Sequence, residues 1–136
     1  MNNTAKGLLI FDEIDAIHSN KNLTVSIKYT QFRSILEEVA VEFTKNESIR
    51  FSNLFSRVSF LCNKYDLRRS IHSLRVSANK VLHERYTPLN EEYSTDFKRL
   101  CYFVSGLYDC QISSKLKRDF PERDYKVKRE YNTESF

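Results

Sequence analysis

Two glycines and two prolines in 136 residues leave this chain few places to reverse direction. Tight turns draw on glycine for positive φ and on proline for a preset φ, so a chain this poor in both favours a few long helices over many short strands. With 40% hydrophobic and 13% aromatic residues it can bury one core, yet it is too short for two ordinary domains. The expectation is an all-α fold with a single core.

Cys62, Cys101 and Cys110 are odd in number and neither closely paired nor in a C-x-x-C spacing, which argues against a disulfide framework and a zinc site. The apolar run Leu8 to Phe11 is followed at once by Asp12 and Glu13, unlike a secretory signal, and no stretch approaches the roughly 18 apolar residues of a membrane span. These features suggest a soluble protein of a reducing compartment, the cytoplasm, with no membrane partner. A net charge of +4 is modest, so its distribution matters more than its sum.

Helical periodicity divides the chain into segments. Leu9, Ile10, Ile14 and Ile17 predict a short first helix over 4–18. Thr24 is placed to cap a second helix reaching Lys45, with Val25, Tyr29, Phe32, Leu36, Val39 and Phe43 on one stripe. Ser52 is the expected cap of a third, carrying Phe55, Val58, Leu61 and Tyr65; Asp66 would then cap a fourth. That fourth helix runs from Leu67 to about Arg85 with Leu67, Ile71, Leu74, Ala78 and Leu82 inward, and Pro88 ends it by forcing its predecessor out of helical geometry. A fifth begins at Asn90 and continues through Gly106 to Leu116. The division is a bundle over 1–116 and a charged tail or linker over 117–136, where Phe120, Tyr125, Val127 and Tyr131 are too scattered to mark a core helix.

The fourth helix holds the clearest charge asymmetry. Between Leu67 and His83 stand Arg68, Arg69, Arg75 and Lys80 with no acid, and two of the three histidines, His72 and His83. At about 100° per residue, His72, Arg75, Asn79 and His83 form one polar stripe beside the apolar one, able to meet a single ligand. Arg68 and Arg69 fall in the expected first turn, where the helix dipole disfavours cations, and a locally unfavourable choice can mark function. Arg68, Arg69, His72 and Lys80 are therefore candidate nucleic-acid contacts. A structural reading stands beside this one: the basic helix is paired with Glu37, Glu38 and Glu42 of the second helix or simply solvated, and Asn79 and His83 bond to neighbouring backbone.

The run Leu74-Arg75-Val76-Ser77-Ala78-Asn79-Lys80-Val81-Leu82-His83, a proline break and a long amphipathic helix, with Phe32-Arg33-Ser34-Ile35-Leu36-Glu37 upstream, resembles an uncharacterised branch of the HEPN superfamily over residues 23–116. The resemblance implies an antiparallel bundle of four to five helices and a homodimer. It also implies an accessory or interaction module, the N-terminal part of a larger DNA-processing protein such as a superfamily-one helicase or restriction-system subunit, joined to a downstream domain. Met1 suggests a natural start, and the tail reads as a linker onward.

Other HEPN branches are metal-independent ribonucleases with arginine and histidine meeting across a dimer, which makes a toxin-like endoribonuclease the alternative. In that reading His83 is the base, Arg75 steadies the phosphorane charge and Asn79 positions. The nuclease branches place the two residues closer together than the seven residues that separate Arg75 from His83, which favours the non-catalytic reading. No cofactor is expected: two separated glycines build no nucleotide cradle. Nor is a metal, since Asp12, Glu13, Asp15 and His18 read as ordinary surface groups of a short helix.

Overall fold

The first three helices begin where a short polar side chain takes up an orphan amide. Asn2 accepts from the Ala5 amide at 2.8 Å, Thr24 from Ile27 at 3.2 Å and Asn53 from Ser56 at 2.8 Å, while Ser56 answers the Asn53 backbone in a capping box. The computed structural model describes residues 2–126. It comprises α1 (Asn3–His18), α2 (Val25–Thr44), α3 (Leu54–Tyr65), a 3-10 turn (Arg69–Ile71), α4 (His72–Glu84), α5 (Asn90–Tyr108) and α6 (Ser114–Lys117). No strand occurs among the described residues, and no helix there is long and apolar enough to cross a membrane.

Four boundaries differ from the sequence expectation. Asn53, not Ser52, caps α3, because its amide-bearing side chain reaches Ser56. Asp66 does not open the fourth helix; it closes α3 in the left-handed region at φ 54°. Arg68 then stays extended and Arg69 lies in the 3-10 turn, so α4 starts at His72 and the two arginines precede it. Asp109, left-handed at φ 51°, stops α5 at Tyr108, and the chain doubles back to bury Cys110, Ile112 and Leu116.

α2 packs on α4, α3 and α5, while α1 covers α2 and α5. The core joins Phe11 and Ile14 of α1, Phe32 and Leu36 of α2, Val58 and Leu61 of α3, Leu74 and Ala78 of α4, and Phe97, Leu100 and Val104 of α5. Every residue from Ile71 to Asn79 is buried, so α4 is enclosed all round rather than amphipathic at the surface. Its last turn emerges, and Leu82, expected inward, is 54% exposed.

Gly106 has a specific purpose. A Cβ there would collide with the Leu67 side chain, so glycine lets the α3–α4 connection lie directly on α5.

The described part of the expected tail lies against the bundle. Phe120 stacks edge-on against Phe97 at 5.6 Å, the Tyr125 amide donates to Thr95 Oγ1 at 2.8 Å, and Asp119 meets His18 Nε2 at 2.8 Å. His18 also bonds the Tyr93 hydroxyl at 2.7 Å and stacks on Phe97 at 3.9 Å, tying α1, α5 and this segment together. Val127, Tyr131 and the rest of the stretch expected as a linker lie outside the described residues.

Candidate functional site

The polar residues of α4 point in three directions, each toward a different helix. Toward α5, Ser73 Oγ donates to Asp96 Oδ1 at 2.6 Å, and Ser77 Oγ, one turn on, donates to Glu92 Oε2 at 2.7 Å. Asp96 also accepts from Tyr29 of α2 at 2.6 Å and from Arg99 Nη1 at 3.2 Å; Glu92 accepts from Tyr86 at 2.6 Å. Both carboxylates are buried, and each is held by several charge-assisted bonds, the condition under which a buried charge is tolerated.

Toward α3, Arg75 Nε donates to His72 Nδ1 at 3.2 Å, and the guanidinium lies 5.1 Å from the centre of the Phe55 ring. A guanidinium cannot accept, so Nδ1 is the bare nitrogen, and Nε2 carries the proton that is donated to Ser59 Oγ at 3.1 Å. Burial, with Arg75 and Arg69 nearby, pushes the His72 pKa down to about 3. His72 is thus a fixed neutral imidazole with both nitrogens engaged.

Toward α2, Asn79 Oδ1 accepts from Arg33 Nε at 2.9 Å, and Arg33 is paired in turn with Glu37 at 3.1 Å. The acids that meet the serines of α4 are Glu92 and Asp96 of α5; of the α2 glutamates expected there, Glu37 connects only through Arg33, and Glu42 pairs with Lys6 and Lys45.

The expectation of one stripe facing a ligand is therefore corrected. His72, Arg75 and Asn79 are buried and face α3 or α2, while His83 lies exposed in the final turn. Arg75 and His83 sit eight residues apart, about 12 Å along the axis, one inside and one outside the bundle. Buried in this way, those three residues present no surface to a second copy of the chain.

Nor do the basic candidates form one track. Arg69 Nη2 reaches Ser59 Oγ at 3.5 Å on the α3 side; Lys80 sits 5.4 Å from the centre of the Tyr86 ring, roughly 16 Å farther along the helix axis. Arg68 is exposed and turns instead toward α5.

There it meets residues that the sequence reading passed over. A cleft of about 420 Å³ opens between the α3–α4 connection and α5, lined by Arg68, Ser70, Lys98, Arg99 and Tyr102, with Leu67, Ile71 and Phe103 as its apolar wall. Asp66 stands at its rim and Asp124, from the C-terminal segment, enters it. Lys98 Nζ donates to Asp124 Oδ1 at 2.8 Å and Arg99 Nη2 lies 4.0 Å from Oδ2; the Lys98 bond, with Lys98, Arg99 and Arg68 close by, holds the Asp124 carboxyl below its ordinary pKa. The dipeptide Lys98-Arg99 was visible in the sequence, but nothing local marked it as facing Arg68.

Among the described residues no group of three or more His, Cys, Asp or Glu is arranged to hold a metal. Cys62, Cys101 and Cys110 are free thiols, all buried, with pKa values raised chiefly by desolvation. Compared with known proteins, the chain matches no family model, no curated protein and no solved structure.

Proposed function

We propose that this chain is a non-catalytic, HEPN-like interaction module of the cytoplasm that contacts nucleic acid and serves a larger DNA-processing assembly. The partners this reading implies are a second copy of the chain, a nucleic acid and a covalently linked downstream domain. The observation that carries its non-catalytic part is the separation of the candidate trio: Arg75 and Asn79 are buried and bonded to His72 and Arg33, while His83, the candidate base, lies exposed in the last turn. Base and charge-steadying cation must reach the same phosphate, and a guanidinium enclosed within the bundle does not meet a substrate at the surface beside His83. The other histidine of this helix, His72, is held between Arg75 and Ser59, and Arg68 and Arg69 stand at the opposite end from His83, so no alternative pairing of base and cation replaces the trio. Cations placed around the surface suit a contact surface better than a reaction centre.

The test is incubation of the chain with single-stranded RNA in EDTA, together with binding measured by fluorescence anisotropy over a salt series. Expected are intact RNA and weak binding that falls steeply as salt rises. Cleavage that is lost in His83→Gln would overturn the reading in favour of the metal-independent ribonuclease. Absence of binding even at low salt would remove nucleic acid from it, and a strict monomer in light scattering would remove the second copy.

A further inference from the structure

We propose that the cleft between the α3–α4 connection and α5 binds one nucleotide unit, its phosphate held by Arg68, Lys98 and Arg99 and its base set against Tyr102. This rests on the nucleic-acid part of the function proposed above and gives that contact a place.

Three observations converge on it. Cations from two separate elements line one cavity, and their acceptors fall short: Asp96 takes one guanidinium nitrogen of Arg99, and Asp124 is shared between Lys98 and Arg99. Arg68 forms no ion pair among the described residues, and Arg99 Nη2 lies 4.0 Å from the Asp124 carboxylate. A phosphate, with acceptor oxygens on a tetrahedron, can serve more of these cations than one planar carboxylate.

The second observation is Tyr102. The residue is 53% exposed at the cavity wall, yet its ring is backed by Phe120 with the ring centres 5.7 Å apart, so it offers surface without being loose. An exposed aromatic beside clustered cations is the arrangement by which proteins hold unpaired bases. Third, about 420 Å³ lies at the small end of ligand-pocket sizes, room for one nucleotide and not for a duplex.

Asp124 then acquires a role. Its carboxylate already rests on Lys98, as an internal anion that an incoming phosphate must displace. Asp66 adds a second repulsive charge at the rim.

The experiment is titration of the whole, isotope-labelled chain, followed by NMR, with adenosine 5′-monophosphate, adenosine, inorganic phosphate and short oligouridylate. Expected are shifts at Arg68, Arg99 and Tyr102 with the monophosphate and with oligouridylate, and none with adenosine. Arg68→Gln and Lys98→Gln should each weaken oligouridylate binding and reduce its salt slope by roughly one, in keeping with loss of a phosphate contact. Asp124→Asn should tighten binding, an outcome that simple damage to the fold would not produce. Tyr102→Ala should weaken the monophosphate but leave inorganic phosphate unchanged. Monophosphate shifts without oligouridylate shifts would assign the site to a free nucleotide; both together assign it to a strand.

If oligouridylate binds but shifts map elsewhere, and Lys98→Gln binds as the parent does, the cleft is not the site, although nucleic-acid contact stands. If inorganic phosphate binds as tightly as the monophosphate, with no effect of Tyr102→Ala, the nucleotide assignment falls. If no probe binds at low salt, the nucleic-acid part of the function proposed above fails as well.

Discussion

Two regions of this molecule are rich in charge, and they treat it in opposite ways. Inside, α4 and α5 match their polar groups within the fold: Ser73 with Asp96, Ser77 with Glu92, Arg75 with His72. In the cleft beside them, Arg68, Lys98 and Arg99 gather around Asp124 with Asp66 nearby, and Arg68 forms no ion pair among the described residues. Charge satisfied from within holds helices in register; charge left in excess at an opening is available to a ligand. A contrast of stability against binding should therefore appear on mutation.

The largest effect is expected at Asp96. Asp96→Ala strips the acceptor from Tyr29, Ser73 and Arg99 at once. Breaking a buried charge network of this kind costs about 3–5 kcal/mol, which should lower Tm by more than roughly 10 °C in thermal circular dichroism. A Tm within a degree or two of the parent would mean the interior network is not what orders α4 against α5.

Next comes acid. Since the folded His72 titrates near 3 and an unfolded histidine near 6.5, the unfolded chain binds the extra proton between those values. Stability from this group is full above about 6.5 and is lost progressively as pH falls toward 3, amounting to about 2 kcal/mol by pH 5. Urea unfolding at pH 7 and pH 5 checks this, with His72→Gln expected to be the flatter of the two chains. Equal slopes would place the histidine in contact with solvent.

Gly106→Ala joins the two regions. The added methyl meets the tip of the Leu67 side chain, which must turn aside; that cost is set against the gain of about 1 kcal/mol that alanine brings to a helix interior, so stability should change by no more than about 1 kcal/mol while the connection that carries Arg68 is nudged. Oligouridylate binding unchanged by this variant would separate the connection from the cleft. The smallest effect belongs to the cleft itself: Arg68→Gln combined with Lys98→Gln should leave stability within about 0.5 kcal/mol, because partly exposed ion pairs contribute little. A large drop in Tm would make those cations part of the scaffold.

The helices themselves were legible because periodicity records which face is buried: the stripe through Tyr29, Phe32, Leu36 and Val39 is the α2 core face. The direction of α4 was not. Leu67 and Ile71 keep helical spacing by coincidence, since the left-handed Asp66 and extended Arg68 break the helix between them and the pattern of side chains carries no trace of backbone sign. Its enclosure was hidden for a different reason. Arg75, His72 and Asn79 look like surface when counted as charges, and only the partner register on α5, Glu92 and Asp96 one turn apart against Ser73 and Ser77 one turn apart, reveals an interior match. That double spacing was present in the sequence, but it gains meaning only once the two helices are known to touch. The cleft drew on Arg68, Lys98, Arg99 and Asp124, positions brought together by topology alone, so no local pattern announced it.

Three chain reversals, at Asp66, Arg85 and Asp109, take a backbone hand that side chains resist, with φ between 51° and 54°, and none of them is glycine. L-residues meet an intrinsic penalty of about 1–2 kcal/mol in that conformation, partly offset because glycine loses more freedom when ordered. The protein therefore carries unused thermal headroom at the ends of α3, α4 and α5. Replacing Arg85 or Asp109 by glycine, each away from the cleft, offers a route to a hardier bundle with its charged interior untouched, suited to carrying the more disruptive variants through purification.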